Sequence, residues 1–558
     1  MSITTIKSIQ GDDLFSKFSG EKVVTRGVVT GLQRQGFFIQ TPNVDWDGRS
    51  SDAIFVFSTE ITSSIGAYVE VFGEVVDYLK HDDDKPVTQI HLETLRVVQM
   101  QGADIVPFEL NNKILPKKNA ELAILLNSLE GMLVKLAANQ TFIAPSNPHG
   151  DYVLDGIDST DTSQVDYALL RNEFGGIIAD HNNHQRWFPG FRITQYHRAP
   201  RLNVGSILLN DVVGPLNYRV GAYQVAARQD IKFEQNYVPL IKSTLKPSPN
   251  AVTIMTLNCF NLDPHLESPD KVLNPRQDVD DDWGEGRFHT LAQAVVLQAN
   301  SPDIIALQEI QDNDGAEISD VVDASETYQL LIKTIEQLSG ITYSWTDVNP
   351  ELGADGGQPG GNIRNGYLYN PQRVTLLAPS SRFGVDETCF EGSRKPLLAH
   401  FKEQESGKEI ACINLHLASK RHQASIFELD NPGFDGKLDV RVAQASRVYQ
   451  ECERLKNQGI DYYVTGDFND TEDSRTLVAL LGKDNVNLVD KIPVSERYDY
   501  NHRGKLQVLM HGVVNHALAG QADYEIIHGN ELIGVKPGEI SDKPSDHAYV
   551  ITKLNLAN

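Results

Sequence analysis

Five apolar runs in this chain border residues that bind cations or move protons. They are Leu257-Asn258-Cys259, Leu307-Gln308-Glu309, Asn414-Leu415-His416, Gly466-Asp467-Phe468-Asn469 and Ser545-Asp546-His547-Ala548. One such boundary means little. Five predict a single site assembled from strand ends, with hard oxygen ligands for a divalent cation and two histidines for proton and phosphate chemistry. Glu309 closes the apolar strand Asp303–Ile310, where a buried unpaired carboxylate would be costly, so it belongs at a sheet rim. Alone it is a strand-ending acid in a salt bridge. Beside Asn258 and Asp546 it becomes a ligand for Mg²⁺ or Mn²⁺, ions that keep open positions for phosphate; Ca²⁺ is the alternative.

Asp467 and Asn469 lie two residues apart after the strand Tyr462–Thr465, so an extended chain projects them to one side. A carboxylate there can orient or deprotonate water, and the amide can hold that water; an Asx-turn is the plainer account of the same residues. His416 and His547 are the expected proton-transfer groups. Arg364, leading into Tyr367-Leu368-Tyr369, is a candidate clamp for phosphate, and Arg394-Lys395 is either further positive charge or solvated surface. The glycines before Arg364 lack the closing Gly-Lys-Ser/Thr of a nucleotide loop. Asp278, Asp280 and Asp282 suggest a calcium loop but depart from its template at Trp283 and His289, which predicts an acidic surface loop instead.

These residues need a scaffold. At 558 residues the chain exceeds one hydrophobic core, and 40% apolar against 22% charged residues excludes a disordered chain. Net charge is −25, from 75 acidic and 50 basic residues, which argues against broad non-specific adhesion to nucleic acid. It leaves a nuclease open, because a cation and a few local basic residues can reverse the field in a cleft. No apolar run reaches the ~20 residues of a membrane span, and MSITTIKSIQGDD lacks the apolar core of a secretory signal. Cys259, Cys389, Cys412 and Cys452 show no zinc spacing and are expected to be free thiols.

Residues 1–112 read as short strands (Lys22–Leu32, Gly36–Gln40, Ala53–Ser58, Tyr68–Val76, Gln89–Gln99) broken by Gly, Asp and Asn, which predicts a small barrel of oligonucleotide-binding (OB) type. His81–Lys85 is expected to be a solvated turn. Residues 118–244 form a second β-rich region: Ala120–Leu136 passes from helix to strand, and Gly214–Val225 resembles a hairpin. Trp187, Phe188, Tyr196 and Arg201 in it are either a base-stacking platform or packing aromatics. After the proline-containing linker Leu245–Asn250, residues 252–558 alternate strands with helices, predicting an α/β layered sandwich. Val442, Ala445, Val448, Cys452 and Leu455 give one buried helical face.

With these motifs in hand, PDIIALQEIQDNDG, GGNIRNGYLYNP, SRKPLLAHF, NLHLASK, GDFND and SDH together resemble the endonuclease/exonuclease/phosphatase superfamily, specifically its bacterial secreted nucleases with N-terminal OB-type domains. The resemblance implies a four-layer α/β sandwich of DNase I-like fold. It implies a metal-dependent endonuclease acting on DNA, with RNA as the alternative, and an extracellular location. It assigns Asn258, Glu309 and Asp546 to the metal, Asp467 and Asn469 to the attacking water, His416 and His547 to charge and proton transfer, and Arg364 to phosphate. There is one departure. The family has an Asp–His pair before the SDH motif, whose Asp orients the SDH histidine. Aligning Gln507-Val508-Leu509-Met510-His511 puts Met510 at that Asp, and a shifted register offers only Asn515-His516. The orienting carboxylate is therefore expected to be missing. That leaves a weakened or silent DNA-binding homologue as one alternative, and a phosphoesterase for lipid or small phosphorylated substrates as another.

Overall fold

Alternation of β-branched and aromatic residues with glycine sets the first architecture of the computed structural model, which describes the chain apart from residues 1, 44–45, 61–62, 81–84, 112–113, 117–118, 148–150, 157–169, 179–190, 196–199, 220, 421–433, 536–542 and 557–558. Strands β1 (Lys22–Gln33), β2 (Gly36–Gln40), β3 (Ala53–Phe57), β4 (Tyr68–Tyr78) and β5 (Val87–Gln99) close a barrel in the order β1-β2-β3-β5-β4. Its interior is filled by alternate residues such as Val69 and Val71 with Phe37, Ile39, Ile54, Val56 and Ile90, plugged by Ile6 and Ile9 of a short helix. The β4–β5 register slips at Gly73, where a Cβ would lie 2.1 Å from the His91 carbonyl oxygen; only glycine permits that approach.

The second β region forms a six-stranded sheet with Val212–Arg219 and Ala222–Ala227 paired as the expected hairpin, Leu216 opposite Val225. The helix Asn119–Ser128 and the strand Leu133–Leu136 appear where the helix-to-strand reading put them. Barrel and sheet share a core, since Ala53 of β3 packs with Leu122, Leu126 and Leu216, and together they make one compact unit, Met1–Tyr237. Lys85 is not solvated as expected: it is buried, its Nζ 2.6 Å from Glu130 Oε2 and over the rings of Tyr218 and Tyr223. Burial is tolerable because the charge is paired. The rest of that turn, residues 81–84, and Trp187, Phe188 and Tyr196 lie outside the described residues.

The second unit begins at Val238. One of its sheets runs in the order Ser344–Asp347, Arg364–Tyr369, Ile304–Ile310, Ala251–Leu262, Tyr549–Asn555, Ala522–Ile527. The other runs Val374–Leu376, Leu397–Glu403, Glu409–His416, Tyr462–Asp467, Met510–Asn515, Asn485–Asn487. Both faces of each sheet are covered. Val252 and Ile254 meet Phe401, Cys412 and Val514 between the sheets. Met255 and Leu257, displaced by one residue, pack outward on Phe288, Leu291 and Leu331 of the helices Arg287–Gln293 and Ser325–Ser339. On the far side Ile413 and Val464 pack on Ala445, Val448, Cys452 and Leu455 of the helix Leu438–Asn457. The layers are therefore helix, sheet, sheet, helix, which explains the continuous apolar strands in the sequence. The four cysteines are free. No described helix is long and apolar enough to cross a membrane.

Candidate active site

The two sheets bring their polar strand ends to one edge. In the first sheet Asn258 and Gln308 are register partners on parallel strands, and Asn258 Nδ2 donates to Glu309 Oε1 at 3.2 Å. In the second, His416 and Asp467 are register partners on another parallel pair. A polar staple ties the edges together: Gln308 Nε2 donates to Asn414 Oδ1 at 2.7 Å, and Asn414 Nδ2 donates to the carbonyls of Leu307 and Gly366. All of its members are buried. Gln308 Oε1 is buried without a partner, but the three inter-sheet bonds still fix how one sheet sits on the other.

Across this edge His416 Nε2 stands 3.7 Å from Glu309 Oε1 and 3.8 Å from Asp467 Oδ2, and His547 Nε2 stands 3.7 Å from the same Asp467 oxygen. Asn469 donates its backbone N–H to Asp467 Oδ1 at 2.8 Å and its amide to the Leu417 carbonyl at 3.1 Å. So the Asx-turn exists, and it leaves Asp467 Oδ2 facing the histidines. Several of these ends have left-handed backbone at non-glycine residues: Phe260 (φ 55°), Asn261 (57°), Glu309 (56°) and Asn469 (51°). For a glutamate this conformation costs about 1–2 kcal/mol. The turn aims the Glu309 carboxylate off the strand.

The charges are crowded. Burial, then Asp546 and Asp467, push the Glu309 carboxyl up to about 7. Burial also raises Asp467. The two imidazoles diverge. Burial would strip the proton from His547, yet the Asp546 charge and the hydrogen bond to Asp499 outweigh it and lift its pKa to about 10. His416 has no such partner; burial, Arg394 and His547 hold it well below the usual histidine range. Asp546 Oδ1 is buried with no hydrogen-bond partner. Crowded carboxylates beside a buried oxygen that has no partner fit a divalent cation, with Asn258, Glu309 and Asp546 as the residues that would hold it.

Arg364 is elsewhere, the carboxylate expected to be missing is supplied from another place, and two unexpected residues, Asp499 and Tyr500, are present. Met510 does not leave the histidine unsupported. Its side chain is fully buried among the inter-sheet apolar residues, and the carboxylate against His547 comes from Asp499, with Oδ1 2.8 Å from Nδ1. Asp499 Oδ2 accepts the backbone N–H groups of Leu509 (2.7 Å) and Met510 (2.9 Å). The hairpin Tyr500–His502/Lys505–Gln507 folds back so that Asp499 lies beside Gln507. Nothing in the Asp–His spacing signals this, because the carboxylate precedes the hairpin and the strand follows it. Arg364 is not free to clamp phosphate: its guanidinium is buried, donating to the carbonyls of Val322 and Asn362 and to Asn349 Oδ1. The cation at the site is Arg394, buried rather than solvated, whose charge acts on Glu309 and His416 and which donates to the Leu417 carbonyl at 3.0 Å. Its neighbour Lys395 is committed to Asp355 at 2.8 Å. Tyr500 stacks on His547, ring centroids 4.8 Å apart.

A second carboxylate group lies in the same unit. Ligand oxygens of Asp263, Glu267 and Asp280 fall within 4.8 Å of one another. The expected acidic surface loop is thus partly turned inward: Asp282 is buried against Arg287, and burial with the Asp282 charge raises Asp280 to about 7.

Residues 283–547 match the Endonuclease/Exonuclease/phosphatase family, and residues 108–236 match a domain of unknown function, DUF8508. No curated protein matches the chain. Among solved structures, a humanized D. rerio TDP2 is 16% identical and covers 55% of this chain and 99% of its own, with a TM-score of 0.35. The human Nocturnin catalytic domain is 15% identical over 55% and 95% (TM-score 0.34), and the Bacteroides thetaiotaomicron mannosyl-6-phosphatase Bt3783 is 17% identical over 54% and 99% (TM-score 0.33). The layered sheets and the polar edge lie where the match falls: residues 283–547 carry the similarity to the endonuclease/exonuclease/phosphatase family.

Proposed function

We propose that this chain is a divalent-metal-dependent phosphodiesterase that hydrolyses DNA without sequence preference. The observation that carries the reading is the convergence of two buried imidazoles on Asp467 Oδ2, His416 Nε2 at 3.8 Å and His547 Nε2 at 3.7 Å, with Glu309 Oε1 3.7 Å from His416. When bound at Asn258, Glu309 and Asp546, a divalent cation supplies Lewis-acid polarisation of a phosphoryl oxygen. The chain's own groups supply the rest. Asp467, with Oδ1 held by Asn469 and its basicity raised by burial, takes a proton from the attacking water. His547 carries the proton that stabilises charge on the phosphoryl group or passes to the leaving oxygen, and Asp499 fixes its tautomer and ring plane. Neutral His416 and Arg394 complete the phosphate-facing wall.

The five-stranded order β1-β2-β3-β5-β4 is that expected of an OB-type barrel, and it favours a nucleic-acid substrate over a small phosphorylated one. We read the protein as acting outside the cell, after the nucleases it resembles. The mannosyl-6-phosphatase among the similar structures keeps small phosphate esters as the second reading. Plasmid cleavage in Mg²⁺, Mn²⁺ and Ca²⁺, run beside phosphate release from sugar phosphates, separates them. Glu309→Gln should abolish cleavage while leaving the fold intact. Metal-independent cleavage, or release of phosphate from sugar phosphates with no cut in DNA, would refute the proposal.

A further inference from the structure

The hairpin that delivers Asp499 also delivers the next residue to the same place. Asp499 is pinned at the base of the hairpin by the Leu509 and Met510 N–H groups, and its own N–H donates to the Gln507 carbonyl at 2.9 Å. Tyr500 pairs with Gln507 across the hairpin, so its position is set by two strands rather than by a loop. The turn itself uses left-handed backbone at Arg503 (φ 53°) and Gly504 (φ 94°), which suits a two-residue connection. Tyr500 lays its ring on His547 at 4.8 Å with 28° between planes.

Its hydroxyl has an unusual setting. A phenol is a neutral O–H donor at ordinary pH. Tyrosine hydroxyls in such surroundings normally find a partner. Among the described residues the Tyr500 ring contacts His547 and His502, and its hydroxyl makes no hydrogen bond. Tyr500 remains partly exposed, and its unpartnered hydroxyl is not fully buried. A donor carried by a ring stacked on His547, the neighbour of Asp546, is placed for an anion that brings its own oxygens.

We propose that Tyr500 donates its hydroxyl to a non-bridging oxygen of the scissile phosphodiester while its ring holds the plane of His547. This rests on the phosphodiesterase reading above and adds to it a substrate-contacting residue. The phosphate would be gripped from the hairpin side by Tyr500 and from the sheet side by Arg394. The contact is a hydrogen bond only, so no bond is made or broken at Tyr500.

The test uses the full chain and a short DNA duplex with one cleavable linkage, as the ordinary phosphate and as each of the two phosphorothioate diastereomers. Tyr500→Phe keeps the stack and removes the donor. It should lower kcat about 10-fold on the phosphate, about 1.4 kcal/mol of barrier, with KM little changed, since the bond strengthens as charge develops on the contacted oxygen. On the diastereomer with sulfur at the contacted position the two proteins should differ by less than about twofold, because sulfur is a poor acceptor. Tyr500→Leu should lose a further factor by freeing the imidazole. Cleavage by Tyr500→Phe within twofold of the unaltered chain on the phosphate would overturn the proposal. So would an equal loss on the phosphate and both diastereomers, the signature of a structural role. Failure of the unaltered chain to cut in any metal would instead remove the phosphodiesterase reading, and this inference with it.

Discussion

Asp499→Asn is the sharpest test of the relocated carboxylate. The substitution preserves shape and removes charge. In the structure the Asp499 carboxylate accepts three hydrogen bonds: His547 Nδ1 at 2.8 Å, Leu509 N at 2.7 Å and Met510 N at 2.9 Å. An asparagine has one acceptor oxygen and one donor nitrogen, so it either turns its NH2 to the two backbone N–H groups or turns it to Nδ1, where it meets a donor or forces the imidazole into the other tautomer. A charge-assisted hydrogen bond contributes about 1.5–3 kcal/mol, which as a barrier corresponds to a loss of roughly 10- to 150-fold in kcat. KM should stay within about threefold, because Asp499 contacts the imidazole and not the phosphate. The pH profile carries an independent signature. His547 keeps its proton up to about 10 through the Asp546 charge and the Asp499 hydrogen bond, against the effect of burial. Removing Asp499 should bring the alkaline fall in kcat to lower pH. Steady-state cleavage of a fluorescent duplex from pH 6 to 10, with thermal unfolding as a control, measures both. Turnover within threefold and an unmoved alkaline limb would refute the pairing as functional.

Met510→Asp, the substitution that sequence alignment recommends, should not restore anything: it buries a carboxylate in the inter-sheet core and should lower the melting temperature and the rate together. A faster, equally stable variant would show that Met510 is the true vacancy. Asp467→Asn should cost about 100-fold or more in kcat with DNA binding retained in a gel-shift assay; a pure KM effect would make it a binding residue. Asp280→Asn should stabilise the protein at pH 8 in chelator and lose that advantage at pH 4. The Asp280 carboxyl is raised to about 7, so between about 4 and 7 the folded state binds more protons than the unfolded one and stability falls as pH rises. Melting curves that are parallel at both pH values would contradict this.

What the sequence made legible follows from period and position. Strand ends are readable because the side-chain period of two and the abrupt change from apolar to polar residues are local, and Asn258, Glu309, His416, Asp467 and Asn469 were all placed that way. Their joining into one edge depended on register, which the Gln308–Asn414 staple holds and which no local signal encodes. Asp499 was missed because its partner lies 48 residues away, on the far side of a hairpin. Arg364 was misread because a guanidinium leading into a strand looks the same whether it meets solvent, phosphate or the chain's own carbonyls. Lys85 and Asp282 were read as solvated from their charged neighbours, whereas each had a buried counter-charge distant in sequence or one helical turn on.

The left-handed backbone at Glu309 and Asn469 sets a direction for how this chain can change over generations. At Glu309 the conformation is held by the surrounding sheets at a local cost of about 1–2 kcal/mol that glycine would not incur, whereas asparagine at 469 adopts it readily and its amide bonds the Leu417 carbonyl. Glu309→Gly would therefore remove the carboxylate and relieve a local strain of the scaffold. Copies released from selection for hydrolysis have a downhill route to stable, inert descendants that keep the barrel and the layered sheets. Glutamate kept at 309 against that cost is what the proposed role of its carboxylate requires.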